Sequence, residues 1–142
     1  MKKDPMEALK RQTREYMEKY GFYTHYVPDE LDVPYGFNIH THGVFESFGH
    51  FDLQICLAIP MNSATMLMHN VVEEIQKGKR FGVGVAYDKI AKGYAVRFAY
   101  AKEMGRTVLR MIFPDDKGDF SGALKAQWGG TTETIDGSKQ IN

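Results

Sequence analysis

Cysteine is almost missing from these 142 residues: Cys56 stands alone, so an internal disulfide is excluded and a reduced, cytoplasmic setting is expected. Long apolar runs are missing too. The longest is interrupted at Pro60 and Asn62, short of the roughly 20 residues that a membrane-spanning helix needs. No charged start backed by an apolar run opens the chain, where Lys2, Lys3 and Asp4 lead into an amphipathic pattern, so no secretory leader is expected. A surplus of either charge is also absent. The 18 basic and 18 acidic residues cancel, and a generic nucleic-acid or polybasic membrane binder would need a positive excess to meet phosphate. There is no internal repeat, heptad array or low-complexity tract. Gly82-Val83-Gly84 lacks the third glycine and following helix of a dinucleotide fingerprint, and reads as a flexible or bulged strand entry. No residue set defines a reaction, no nucleophile is assigned, and no cofactor is specified.

What is present suits one globular domain over 1–128 followed by a mobile tail, 129–142. A chain of this length buries about 68–70% of its unfolded surface without disulfides or metals. Apolar residues at 43% and charged residues at 25% are near the globular average and supply that core. Asp4 and Pro5 open a first helix whose stripe is Met6, Leu9, Tyr16, Met17 and Tyr20, with Gly21 as its stop; this helix is expected to pack on a sheet. Phe22 to Val27 reads as a strand, and Pro28 to Pro34 as a connection. A second helix runs to Lys77, capped by Asn62 or Ser63, with Ala64, Leu67, Met68, Val71, Val72 and Ile75 inward and Gly78 as the stop. Val83 to Tyr87, Tyr94 to Tyr100 and Thr107 to Phe113 read as strands, the last two joined around Lys102 to Gly105. Strand runs broken by isolated helices indicate an α+β fold, a mostly antiparallel sheet with two principal helices. Leu124 and Trp128 are the main apolar anchors beyond Gly118.

The chemistry concentrates in two short polar rows. Asn38, His40 and His42, then His50, Asp52 and Gln54, alternate with apolar residues on either side of the spacer Gly43 to Gly49. Paired as an antiparallel hairpin centred on Glu46, His42 faces His50, His40 faces Asp52 and Asn38 faces Gln54, leaving Phe37, Ile39, Phe51, Leu53 and Ile55 on the other side. A solvated sheet face is ordinarily built of Lys, Glu, Arg and Thr, so three imidazoles, a carboxylate and two amides point to a site.

Three readings stay open. His40, His42, His50 and Asp52 are the donor types that hold zinc, iron or manganese, although compact metal centres usually draw a ligand from another element. As catalytic parts, His40 or His42 paired with Asp52 can act as a general base near neutral pH, with Asn38, His50 and Gln54 binding a small molecule. The bland reading is a hydrogen-bonded polar layer beneath a helix or a second copy in a homo-oligomer. Pairing Ala101 with Arg106 sets Arg97 opposite Arg110, where an anionic ligand would relieve their repulsion; the alternative is two arginines lying over Ala95 and Ala99 toward separate acidic partners. His25 and His69 fall outside the cluster as structural or exposed residues. Met61, Met66 and Met68 are read as core packing, and Cys56 as a buried small hydrophobe.

Several short motifs in order carry a resemblance: His-Thr-His-Gly at 40–43, His50-Phe51-Asp52-Leu53-Gln54, Lys77-Gly78-Lys79-Arg80-Phe81, Gly93-Tyr94-Ala95-Val96-Arg97-Phe98, and Leu109-Arg110-Met111-Ile112-Phe113-Pro114-Asp115. The chain resembles the bacterial domain of unknown function 4262 family over about residues 22 to 128. The resemblance implies a small soluble bacterial domain and transfers no catalytic residue.

Overall fold

Apolar residues alternate along several segments between Phe22 and Phe113, and in the computed structural model, which describes residues 5–28, 37–57 and 59–120, these segments build a mixed sheet. The elements in chain order are α1 (Pro5–Tyr20), β1 (Tyr23–Pro28), β2 (Phe37–His42), α2 (Val44–Phe48), β3 (Asp52–Ile55), α3 (Met61–Gln76), β4 (Tyr87–Ala91), β5 (Tyr94–Glu103) and β6 (Arg106–Ile112). The strand order is β1-β2-β3-β6-β5-β4. Only the β3–β6 pairing among these is parallel, so the α+β class with a mostly antiparallel sheet holds, and among the described residues the two 16-residue helices α1 and α3 are accompanied by the short α2.

Helix α3 supplies the apolar cover. Ala64, Leu67, Met68, Val71, Val72 and Ile75 are its buried residues, the stripe read from the sequence. They form one core with Ile39, Leu53, Ile55, Phe98, Leu109 and Met111 from alternate strand positions. The helix starts ahead of both expected caps: Pro60, with ψ 142°, precedes Met61, and neither Asn62 nor Ser63 caps it. Its end is as expected, with Gly78 at φ +98° and the Lys79 N–H donating to the Glu74 carbonyl at 3.0 Å.

Helix α1 departs from expectation. None of its residues is buried, and Met6 and Leu9 are more than half exposed. It leans on the rest through its last turn, where Tyr20 meets the His69 ring at 4.9 Å. Asp4, most of the Pro28–Pro34 connection, Leu124, Trp128 and the 129–142 tail lie outside the described residues.

The spacer between β2 and β3 is not a hairpin tip. Gly43 (φ +103°) and Gly49 (φ +68°) bracket α2, and a Cβ on Gly43 would come within 2.7 Å of Met17 Sδ and 2.8 Å of the Gly21 carbonyl oxygen. With a helical turn inserted, the strands pair Ile39 with Ile55 and His40 with Gln54, two residues from the expected register. The second hairpin is corrected in the same way. Ala101 pairs with Val108 rather than Arg106, and Met104 and Gly105 form the turn with φ +51° and +82°. The expected strand Val83 to Tyr87 begins only at Tyr87, because Gly84 (φ +91°) turns the chain and Gly82 N–H donates to the Tyr87 hydroxyl at 2.9 Å.

Candidate functional site

These strand registers create one polar row. His25 pairs with His40, His40 with Gln54, Gln54 with Arg110, and Arg110 with Ala99, so five neighbouring strands place these residues side by side on the face opposite α3. His40 is 2% exposed, Gln54 and Arg110 1% each, and Asn38 is also buried. A buried polar row survives only if it is hydrogen-bonded. Arg110 Nε donates to Gln54 Oε1 at 2.8 Å, Gln54 Nε2 donates to Asn38 Oδ1 at 2.8 Å, and His40 Nδ1 lies 3.0 Å from the same oxygen.

The imidazoles gather at one end of this row. His40 Nε2 is 3.0 Å from His42 Nε2, and the ligand atoms of His25, His40 and His42 all lie within 4.8 Å of one another. Tyr23 stacks on His42 with ring centroids 5.2 Å apart. Burial drives the His40 pKa down to about 3, helped by the positive charges His42, His25 and Arg106 would place beside it. His42 is lowered for the same leading reason and by Arg106, against the opposing pull of Glu103 and Asp52. Both rings are therefore neutral at pH 7 and offer lone pairs. Among the described residues Glu103 is the carboxylate nearest His40, its Oε2 3.7 Å from His40 Nε2, and its Oε1 is held by Arg106 Nε at 2.9 Å.

Not every residue singled out from sequence reaches this cluster. His50 precedes β3, and Gly49 turns the chain there, so strand alternation does not govern it. Its Nδ1–H donates to the Phe51 carbonyl at 2.9 Å, and its Nε2 accepts the Phe81 N–H at 3.1 Å. Asp52 works at the same corner. Its carboxylate accepts Thr41 Oγ1 at 2.7 Å and the Val44 and Phe45 N–H groups at 3.0 and 3.4 Å, and pairs with Arg106 Nη1 at 3.2 Å. It caps α2 from outside the helix, with its negative charge at the helix's positive end. Arg97 faces Ile112, diagonal to Arg110 rather than opposite it. Its guanidinium lies 5.7 Å from the Phe120 ring centroid, and its Nε is buried with no hydrogen-bond partner among the described residues.

His25, Glu103 and Arg106 were not anticipated. The signal for His25 was there in the alternation Tyr23, His25, Val27, but pairing across a long connection gave it no register. Asp52 and Arg106 also line a cavity of about 270 Å³ with Phe45, Glu46, Phe51 and Thr107. Phe51, expected on the apolar side, is exposed there and meets Tyr100 edge-on at 5.6 Å. No helix among the described residues is long and apolar enough to cross a membrane.

Comparison with known proteins returns no match among curated proteins and none among solved structures. A family model does match, over residues 16–126, which takes in the sheet, α3 and every residue of the polar row. The chain belongs to the family described as Domain of unknown function (DUF4262).

Proposed function

We propose that this protein binds a divalent transition-metal ion through His25, His40 and His42. The observation that carries the reading is three imidazoles from two strands with their ligand atoms within 4.8 Å, of which the most buried is kept neutral. Ligand nitrogens at about 2.0–2.1 Å from a tetrahedral zinc sit roughly 3.3 Å apart, so the 3.0 Å His40–His42 separation is already close to that spacing. His25 is exposed on an edge strand, so its ring can swing inward. Glu103 is the carboxylate placed to act as a fourth ligand or to hold a metal-bound water. Imidazole donors suit zinc, cobalt, nickel or copper over calcium and magnesium, which take oxygen ligands. The exposed side at His25 is where water or a small molecule completes the coordination sphere. In this reading His50 and Asp52 support the corner that carries α2 and do not ligate.

The test uses protein purified without a histidine tag, stripped with chelator and titrated with Zn(II) and Co(II) by calorimetry and visible absorption. One equivalent should bind, His40→Ala and His42→Ala should each weaken binding at least about 100-fold, and His50→Ala should leave affinity nearly unchanged. Absence of stoichiometric binding by the wild type, or wild-type affinity in both alanine variants at positions 40 and 42, overturns the reading.

A further inference from the structure

The polar row contains one group whose hydrogen-bonding polarity is fixed. A guanidinium donates and never accepts, and although burial lowers the pKa of Arg110 it remains charged at any working pH. Each bond along the row then follows from the last. Arg110 Nε–H requires an acceptor, so Gln54 presents Oε1 to it. The other end of that amide is an NH2, so Asn38 must present Oδ1. That oxygen also faces His40 Nδ1 at 3.0 Å, where two acceptors cannot meet, so Nδ1 carries the proton. A neutral imidazole has only one N–H, which leaves His40 Nε2 bare and turned toward His42 and Glu103.

From this chain of bonds we infer that Arg110, acting through Gln54 and Asn38, is a positioning residue that sets the tautomer of His40, two strands away, and keeps Nε2 open for a ligand. The inference deepens the metal reading, yet it concerns the metal-free chain and stands apart from it. It also assigns His42: with His40 Nε2 bare, the 3.0 Å contact between the rings needs His42 Nε2 to donate when no ion lies between them. Metal-ligating histidines commonly donate their second N–H to a neighbouring oxygen in this way, and losing that partner typically weakens metal affinity 10–100-fold.

Two substitutions with the same charge change separate tautomer control from electrostatics. In Gln54→Glu the carboxylate still accepts from Arg110, which holds it ionised, but it offers no donor to residue 38. Asn38 must then turn its NH2 toward that carboxylate and toward His40, His40 Nδ1 becomes an acceptor, and the proton moves to Nε2. In Asn38→Asp the carboxylate accepts from both Gln54 and His40, so the tautomer stays. The readout is the two-bond ¹H–¹⁵N correlation spectrum of the histidine rings in metal-free full-length protein. Wild type and Asn38→Asp should show His40 protonated at Nδ1, Gln54→Glu should show it protonated at Nε2, and Co(II) affinity should fall 10–100-fold only in Gln54→Glu. A wild-type spectrum with His40 protonated at Nε2, or a folded Gln54→Glu protein with the wild-type pattern, overturns the inference. Should Gln54→Glu fail to fold, Asn38→Ala removes the acceptor directly: loss of the Nδ1–H form supports the inference and its retention overturns it. If the wild type shows the expected tautomer but takes up no metal, the metal reading fails and the tautomer control stands.

Discussion

His40 shows how one side chain ties the site to stability. Its folded pKa of about 3 lies below the roughly 6.5 of an exposed histidine, so between those values the unfolded chain takes up a proton that the folded chain refuses. Stability from this group is complete above about pH 6.5 and is lost progressively as pH falls toward 3. Moving metal-free protein from pH 7.5 to pH 5 should therefore cost roughly 2 kcal/mol through His40 alone, with His42 and His50 adding in the same direction. Urea unfolding at the two pH values measures it, and equal midpoints would remove the claim that His40 is held neutral by burial. Asp52 is the complementary case: 3% exposed, it satisfies a hydroxyl, two backbone N–H groups and a guanidinium. Asp52→Ala strands those donors and should cost about 3–5 kcal/mol in the same assay. The chemical character of positions 38, 40, 42, 52 and 54 was legible in the sequence, because alternation alone marks a face. Their partners were not, since what decides His50 is the left-handed Gly49 before β3, and what recruits His25 is a pairing that no local pattern encodes.

At the level of the element, parity and register carry different information. A hairpin that slips by two residues keeps every side chain on its face, so the sequence pattern predicts the polar side of β2 and β3 correctly while leaving the true opposites undetermined. The α3 stripe has no such degeneracy, because a 3.6-residue period identifies each inward residue individually. Both strand corrections trace to what lies between the strands: α2 occupies the first spacer, and a two-residue turn closes the second. Two positive φ values are the geometry of a type I′ turn, which favours Asn-Gly and resists other side chains at its first position. Met104 takes that position at φ +51° with 93% of its surface exposed, so it has little packing to offset the backbone strain. Met104→Asn should stabilise the protein by about 0.5–1 kcal/mol without moving the Glu103–Arg106 pair beside the histidines. A lower urea midpoint would show that the Met104 side chain matters more than its backbone.

Across the whole molecule the sheet is two antiparallel sets, β1-β2-β3 and β6-β5-β4, joined at one parallel seam between β3 and β6. A parallel pairing needs a crossover, and α3 lies within it, which is why strand order could not be read from successive hairpin signals. The polar row crosses this seam and the histidines sit at its β1 end. That placement makes the edge strand the part of the fold that a metal ion would hold, since among the described residues β1 has β2 as its only strand neighbour and His25 would share an ion with His40 and His42. Ligand binding to the folded state alone adds about 2.7 kcal/mol when free metal is 100 times Kd, which for a chain of this size raises Tm by roughly 8 °C. The gain should be local in its origin. With Zn(II) present, amide hydrogen exchange should slow most in β1 and the adjoining part of β2, whereas β4, which among the described residues is bonded only to β5, should be nearly unchanged at exchange events short of global unfolding. Slowing spread evenly over both edges, or seen in β4 ahead of β1, would mean that the ion binds elsewhere and that the three imidazoles at the β1 edge do not share it.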